Sequence, residues 1–171
     1  MKLVEPSRDY LASFQEAMLE PDPNDPTADG QKLLAQLATD FDGYWQRERQ
    51  GQPGRVPMQT FWLVDEQTYL GCIRYRNQLT EALRQEGGHI GYEVRPSARG
   101  KGYGKVMLQL LVQYLAMQPD APAQCLLTCD EDNTASQKVM EAAGAVFERS
   151  AHLSDGDIKR YYWLTIRASY A

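Results

Sequence analysis

The sequence predicts an α+β fold in which a central mixed, mostly antiparallel β-sheet is flanked by helices. Stretches rich in β-branched and aromatic residues alternate with stretches whose apolar residues recur every three to four positions, in the order β-α-α-β-β-β-α-β-α-β-β. A length of 171 residues suits one hydrophobic core, so residues 1–171 are expected to form a single domain.

The first half of the chain is divided by prolines and glycines. Residues 2–4 are predicted to form a short strand, and Ser7 is predicted to cap a helix that ends near Glu20. Three prolines over positions 21–26 exclude a helix there, and a second helix is predicted from position 29 or 30. Its apolar stripe consists of Leu34, Leu37, Ala38, Phe41 and Trp45.

The middle of the chain is predicted to contain a hairpin of two strands, over residues 60–64 and 68–76. A connection over 77–87 leads to a strand over 89–94, a glycine-rich loop and a helix that continues to about Met117. This helix is predicted from apolar residues at helical spacing, namely Met107, Leu110, Leu111, Tyr114 and Leu115.

The last part of the chain is predicted to form a buried strand over 125–129, a helix over 133–143 and two strands over 145–152 and 158–167. Gly144 is a suitable end for the helix. The side chains predicted to face the core from this helix are Ala135, Val139, Ala142 and Ala143.

Charge and cysteine usage exclude several classes of protein. A net charge of −5 argues against binding to nucleic acid or to an anionic membrane, and no apolar run reaches the length of a membrane span. No targeting segment is apparent, and Cys72, Cys125 and Cys129 form no paired motif, so buried reduced thiols and a cytoplasmic location are expected. The two histidines, His89 and His152, lack metal-ligand spacing, so no metal site is expected.

The strand over 89–94 leads into Arg99-Gly100-Lys101-Gly102-Tyr103-Gly104, followed by Lys105. A strand that feeds a glycine-rich loop and then a helix predicts an anion site, because the first helical N–H groups lack partners and glycines admit the anion close to the backbone. The clustered cations Arg95, Arg99, Lys101 and Lys105 favour a small polyanion in this acidic chain. The alternative is an ordinary tight turn with solvated basic side chains.

The spacing of this loop excludes two common nucleotide-binding motifs. A Walker loop fails because Val106 follows Lys105 and because Arg99 stands where the first glycine is required. A dinucleotide fingerprint fails because Met107 stands at the position of its third glycine. The remaining pattern, Arg-x-x-Gly-x-Gly at Arg99, Gly102 and Gly104, strongly resembles the acyl-CoA loop of the GCN5-related N-acetyltransferase (GNAT) superfamily, whose element order the chain shares.

A second stretch, Cys129-Asp-Glu-Asp-Asn133-Thr-Ala-Ser136, resembles the second cofactor motif of that superfamily. The resemblance implies acetyl-CoA as a co-substrate, bound by Val94, Arg99, Gly100, Lys101, Gly102, Tyr103, Gly104, Lys105, Asn133 and Ser136. Helical spacing predicts that Asn133, Ser136 and Met140 share one face, distinct from the face of Val139. The alternative is that Asn133 is only a helix cap and that this stripe faces solvent.

The resemblance also implies direct attack of a primary amine, on a small molecule or a peptide, on the acetyl thioester. A backbone N–H near Val94 is expected to polarise the carbonyl, and Glu93 is the first candidate for the base that deprotonates the ammonium. His89 is the second candidate base, because period-two alternation places it on the same strand face as Glu93. The alternatives are that Glu93 faces solvent or pairs with an arginine, and that His89 is a satisfied surface histidine.

Met140 departs from the family pattern. Many members carry a tyrosine here that protonates the departing thiolate, whereas methionine has no proton to donate. The other candidate donors are water and Tyr92, Tyr103, Tyr161 and Tyr162, and the thiolate can also leave unprotonated. This departure motivates a second hypothesis, a non-catalytic acyl-CoA-binding or sensor module, and a third hypothesis is a nucleotide-binding protein.

The acceptor is the part of the reaction that the sequence specifies least. In the superfamily, the region between the first two helices lines the acceptor pocket, so Asp22, Asp25 and Asp29 are candidates for attracting a cationic amine. The alternative is a solvated turn. The resemblance allows a homodimer, because members of the superfamily often dimerise.

Overall fold

The computed structural model describes residues 1–22, 30–154 and 156–167, and these form seven strands and six α-helices. The strands are β1 (Lys2–Val4), β2 (Gln59–Asp65), β3 (Thr68–Tyr75), β4 (Ile90–Val94), β5 (Gln124–Asp130), β6 (Val146–His152) and β7 (Ile158–Thr165). The helices are α1 (Leu11–Met18), α2 (Gly30–Thr39), α3 (Phe41–Gln50), α4 (Glu81–Gln85), α5 (Tyr103–Ala116) and α6 (Thr134–Ala142), with 3-10 turns over Arg8–Tyr10 and Pro96–Ala98.

The strands confirm the predicted α+β class but divide into two sheets. The first sheet has the order β1-β2-β3-β4, and the second has the order β5-β7-β6. Every ladder between these strands is antiparallel. The division between β4 and β5 positions the candidate site described below.

Helices cover both faces of the first sheet. On one face, Phe14 of α1 stacks on Trp62 of β2, with ring centroids 4.5 Å apart. Side chains of α2 and α3 complete this core. On the other face, Met107, Leu108 and Leu111 of α5 are fully buried in a core to which both sheets contribute. Burial stabilises each such side chain by about 1.5–3 kcal/mol, so α5 holds the two sheets together and fixes the loop at its own start.

The second predicted helix is divided in the structure, because Asp40 interrupts it between α2 and α3. The Asp40 carboxylate accepts a hydrogen bond from the Gly43 N–H at 3.0 Å and so caps α3. A Cβ atom on Gly43 would lie 2.2 Å from that carboxylate, which explains the glycine. Leu37 and Phe41 of the predicted apolar stripe are buried on both sides of the break, and Leu34 and Trp45 pack against the same core, whereas Ala38 is exposed.

The core-facing side of α6 differs from the prediction. Met140 is 2% exposed and packs in the core that the two sheets share. Val139 and Ala143 pack partly against that core as predicted, whereas Ala135 and Ala142 are exposed. Methionine carries much more apolar surface than alanine, so its burial decides how the helix is rotated. The prediction that Met140 lies on the polar face of α6 is therefore wrong.

Candidate functional site

A gap opens between β4 and β5, because the two strands are joined near the start of β4. The His89 N–H donates to the Leu126 carbonyl at 2.8 Å, and the Leu126 N–H donates to His89 Nδ1 at 2.9 Å. The imidazole thus replaces a backbone acceptor, and no ladder joins β4 to β5 in the described part of the chain. Beyond His89, the facing edges of the two strands are available to a ligand.

The Val94 N–H is directed into this gap. Successive residues of an antiparallel strand direct their backbone groups to opposite sides. The Arg95 N–H donates to the Leu70 carbonyl at 3.0 Å, so the backbone groups of Arg95 and Glu93 face β3. Val94 lies between them and faces the opposite way, toward β5. A backbone donor therefore stands where the sequence predicts the thioester carbonyl to be polarised.

The glycine-rich loop opens α5 just beyond the end of β4. Gly100 and Gly102 have φ angles of +76° and +81°, and the space that a Cβ atom would take at either residue is open. The first hydrogen bond of the helix runs from the Val106 N–H to the Gly102 carbonyl at 3.2 Å. The preceding N–H groups, which have no acceptor inside the helix, are those of Tyr103, Gly104 and Lys105. Together with the helix dipole they favour an anion.

Gly104 brings the start of α5 close to both α6 and β4. A Cβ atom on Gly104 would lie 3.1 Å from the Val139 side chain and 3.6 Å from the Tyr92 ring. The Tyr92 hydroxyl in turn donates to the Ser136 carbonyl at 3.2 Å. The two stretches that resemble cofactor motifs are therefore neighbours, with Tyr92 between them.

Asn133 and Ser136 lie at the start of α6, next to Tyr92. The Asn133 Oδ1 atom accepts from the Ser136 N–H at 3.0 Å, so Asn133 does cap the helix. This bond uses the oxygen of an exposed side-chain amide, and its NH2 group is a separate pair of donors. Capping and contact with a ligand are therefore compatible at this position.

Glu20 ties the turn before the loop to the end of α1, a role that we did not predict. Its carboxylate accepts from the Arg95 Nε–H and, at 2.9 Å each, from the N–H and the hydroxyl of Ser97. Burial opposes its ionisation, but these hydrogen bonds outweigh burial and lower the pKa of Glu20. In the sequence, Glu20 stands at the predicted end of the first helix, and nothing local indicates its partners 75 and 77 positions away.

Arg99 has partners other than the loop that it begins. Its guanidinium makes two hydrogen bonds to the Asp22 carboxylate, at 2.6 and 2.5 Å, and its Nε–H donates to the Val94 carbonyl at 3.1 Å. The hydrogen bond to Asp22 raises the pKa of Arg99. Lys101 and Lys105 are exposed beside the loop. Asp25 and Asp29, the other candidates for attracting an amine, lie outside the described residues.

Glu93 and His89 lie in different surroundings, because His89 precedes β4 and bonds to β5. Glu93 lies opposite Cys72 on the face that α1–α3 cover; its side chain is 46% exposed and approaches Arg74 at 3.8 Å. His89 is buried and reaches β5, because Gly88, with a φ of +60°, turns the chain just before it. Burial, aided by the charge of Arg84, lowers the pKa of His89. With Nδ1 accepting from Leu126, its neutral ring has no free lone pair.

Apart from Tyr103, which belongs to the loop itself, the candidate tyrosines differ in their contacts. Tyr161 donates to the Gln85 carbonyl at 2.7 Å, and Tyr162 donates to Glu141 at 3.3 Å. Tyr92, by contrast, lies against Gly104, and burial raises its pKa to about 12. Tyr92 is therefore the tyrosine that the fold brings between the two cofactor-like motifs.

The three cysteines are buried and unpaired, as predicted. Burial raises the pKa of Cys125 to about 12 and that of Cys129 to about 11, so both remain thiols at neutral pH. Among the described residues, no three metal-ligating side chains converge on one point, and no helix is long and apolar enough to cross a membrane.

The chain belongs to the GNAT acetyltransferase family, since the acetyltransferase (GNAT) domain model matches residues 4–146. A search of curated proteins gave no significant match.

Solved structures with the same fold have low sequence identity to this chain. One is an acetyltransferase from Salmonella typhimurium that modifies the N-terminal serine of ribosomal protein L7/L12, with 15% identity and a TM-score of 0.69 over 96% of this chain and 94% of that one. Another is the microcin C7 self-immunity acetyltransferase MccE, in complex with acetyl-CoA and AMP (17% identity, TM-score 0.65, 95% and 91% coverage). A third is the aminoglycoside acetyltransferase AAC(6')-Ib, in complex with coenzyme A and kanamycin (17% identity, TM-score 0.61, 96% and 94% coverage).

Proposed function

We propose that this protein is an acetyl-CoA-dependent N-acetyltransferase that transfers the acetyl group to a primary amine of a small molecule or a peptide by direct attack. The observation that carries the proposal is the gap between β4 and β5, with the unpaired N–H groups of α5 at the end of β4. The gap offers backbone edges to an extended ligand, and the helix start offers donors to its phosphates.

The residues present fit the pyrophosphate of this co-substrate. The N–H groups over 100–105, together with Lys101 and Lys105, supply donors and positive charge, and the open space at Gly100 and Gly102 admits an anion to the backbone. Asn133 and Ser136 would contact the arm that enters the gap. We assign Arg99 to positioning the Val94 carbonyl and the loop, because Asp22 already engages its guanidinium. When bound, acetyl-CoA supplies an activated acyl group.

The chain supplies an oxyanion donor and a base. The Val94 N–H is directed to the gap, where it would stabilise charge on the thioester oxygen. Glu93 directly precedes Val94, and its side chain lies on the face of the sheet that α1–α3 cover. It would take the proton from the incoming ammonium, directly or through a water. Arg74, at 3.8 Å, keeps the carboxylate of Glu93 near this position while leaving it exposed. We assign His89 to joining β4 and β5.

The departing thiolate can leave without a proton from the protein. Met140 is buried and has no proton to give. Tyr92, with a pKa of about 12, holds its proton at neutral pH and can donate a hydrogen bond. Transfer of its proton to the thiolate would be unfavourable, because a thiol has an ordinary pKa of about 8.5. We therefore assign Tyr92 a hydrogen-bonding role.

The test of this proposal is thiol release from acetyl-CoA across a panel of amines, with acetylated product identified by mass spectrometry. We expect amine-dependent release. The second candidate function, a non-catalytic acyl-CoA-binding module, is motivated by the buried Met140 in place of a tyrosine. Tight acetyl-CoA binding without release for any amine would favour that module over the enzyme.

We also propose that residues 1–171 form one domain. The core around α5 draws side chains from both sheets, which supports a single folding unit. A single cooperative unfolding transition is expected by calorimetry, and two resolved transitions would contradict the proposal.

A further inference from the structure

A cavity of about 330 Å³ lies between α3, the loop over 51–58 and the start of α4, away from the glycine-rich loop. Its charged lining consists of Arg47, Arg55 and Arg76 against a single carboxylate, that of Glu48. Glu48 is already shared, since Arg55 lies 3.7 Å from it and the Gln52 side chain donates to it at 3.2 Å. The described lining therefore carries more positive than negative charge.

Arg76 is the least compensated of these cations. Its Nη1 atom is buried and has no hydrogen-bond partner, although a guanidinium normally donates from every N–H group when it is out of water. Arg47, by contrast, makes a 2.8 Å ion pair with Asp40. Burial and the neighbouring charge of Arg74 lower the pKa of Arg76, and Glu48 offsets this in part. Arg76 also lines the cavity, so it places there a positive charge for which no carboxylate of the described residues forms an ion pair.

The position of Arg76 relates the cavity to the proposed acceptor side of the sheet. Its Nη1 atom lies 4.0 Å from the point where a Cβ atom on Gly91 would stand. Gly91 and Glu93 are two residues apart on β4, so their side chains leave the same face of the strand about 7 Å from one another. Between Arg76 and Glu93 lies Arg74, which faces Gly91 across the ladder.

We propose that this cavity binds a carboxylate or phosphate group, and that the group belongs to the amine acceptor. The second statement, that the anionic group belongs to the acceptor, rests on the proposed acetyltransferase function. An amine at Glu93 and an anion at Arg76 then define the acceptor as an amine whose anionic group lies several ångströms from its nitrogen. A short peptide with a free carboxylate and an amino-alkyl phosphate both have this form.

Binding of the anion is tested first on the intact protein, with inorganic phosphate and acetate as probes at constant ionic strength. We expect both to raise the unfolding temperature of the wild type, and the Arg76→Gln variant to bind phosphate about 10- to 100-fold more weakly, as for a lost hydrogen bond to a charged group. Arg8→Gln, which removes an exposed cation paired with Asp42, is the matched control and should bind like the wild type. Arg76→Lys, which keeps the charge, should retain part of the affinity.

The anion-free stability of Arg76→Gln distinguishes a ligand site from a structural role. Because Nη1 has no partner and Arg74 repels the charge, the variant should unfold at the same temperature as the wild type or at a higher one. A lower unfolding temperature without anion, or unchanged phosphate binding by Arg76→Gln, would overturn the anion site.

Whether the anionic group belongs to the amine acceptor is tested with matched amines, namely glycylglycine against glycylglycine amide and ethanolamine phosphate against ethanolamine. The anionic member of a pair should have the lower KM, and Arg76→Gln should remove the difference while the KM for acetyl-CoA stays constant. The preferred pair identifies the source of the anion. Equal KM values within both pairs would show that the anionic group does not belong to the acceptor. Phosphate binding that depends on Arg76, without acetylation of any amine, would contradict the proposed enzyme and assign the anion site to another ligand.

Discussion

Arg99 and Asp22 form a two-point ion pair, with nitrogen–oxygen distances of 2.6 and 2.5 Å, between the end of the first helical region and the glycine-rich loop. The same guanidinium donates to the carbonyl of Val94, the residue whose N–H faces the gap between the sheets. The pair therefore links the placement of the loop to the placement of the proposed oxyanion donor.

Asp22→Asn should weaken acetyl-CoA binding, because it releases the side chain that positions Val94 and the loop. A pair that is largely shielded on the Asp22 side and bidentate is expected to contribute about 1 kcal/mol to the free energy of unfolding. Denaturant titration and calorimetric titration with acetyl-CoA measure the two effects. Asp42→Asn, which breaks the exposed pair with Arg8, is the control and should change neither. Tighter acetyl-CoA binding by Asp22→Asn would show that Arg99 serves the phosphates directly.

Gly102→Ala and Gly54→Ala form a matched pair for the loop. Both glycines have a φ of +81° and open space around an added Cβ atom, so both variants should lose roughly 1–2 kcal/mol of stability from backbone strain. Only Gly102→Ala should also lose affinity for acetyl-CoA, because only Gly102 lies in the proposed phosphate site. Equal affinities of the two variants for acetyl-CoA would mean that the loop is misassigned.

Glu20→Gln should destabilise the protein at pH 7 by about 1.5 kcal/mol, since charged hydrogen bonds to Arg95 and Ser97 are lost. The folded-state pKa of Glu20 lies below its ordinary value of 4.5, so its contribution is present above that pH and is lost as the pH falls through the folded-state pKa. The wild-type and Glu20→Gln unfolding free energies should therefore converge as the pH falls below the folded-state pKa of Glu20. Glu16→Gln, an exposed neighbour 3.7 Å from Arg95, serves as the control. A difference between the two unfolding free energies that stays constant as the pH falls would contradict this role of the Glu20 carboxylate.

Substitutions at His89 separate its bridging role from a catalytic one. His89→Ala leaves the Leu126 N–H without its acceptor and should cost about 1–3 kcal/mol of stability. His89→Asn places an amide oxygen near the position of Nδ1 and should recover much of that loss. Acetylation should persist in His89→Asn; a folded His89→Asn variant that binds acetyl-CoA but is inactive would restore His89 as the base.

Glu93→Gln should lower kcat by about 100- to 10,000-fold, the range for loss of a general base, with little change in stability. Its side chain is 46% exposed and its nearest cation is 3.8 Å away, so the ion pair itself contributes little. Steady-state kinetics and thermal unfolding check both statements. Wild-type kcat in Glu93→Gln would exclude it as the base.

Local patterns account for what the sequence predicted well. The left-handed conformation at Gly102 and the start of α5 follow from glycine spacing and apolar periodicity within a few residues. The pairing of Arg99 with Asp22 joins residues 77 positions apart, and that of His89 with Leu126 joins residues 37 apart. Period-two alternation assumed a regular strand at His89, but the turn at Gly88 and the divergence of β4 from β5 are tertiary features. No local pattern in the sequence distinguishes Arg76 from other arginines, because the missing partner of its Nη1 atom is a property of the folded chain.

The central claim is that acetyl-CoA binds in the gap between β4 and β5 with its phosphates at the glycine-rich loop. Calorimetric titration of the wild type, Gly102→Glu and Gly54→Glu with acetyl-CoA and with ATP tests it most directly. We predict tighter binding of acetyl-CoA than of ATP by the wild type and by Gly54→Glu, and no binding of acetyl-CoA by folded Gly102→Glu. Tighter binding of ATP by the wild type, or full affinity for acetyl-CoA in Gly102→Glu, would contradict the claim.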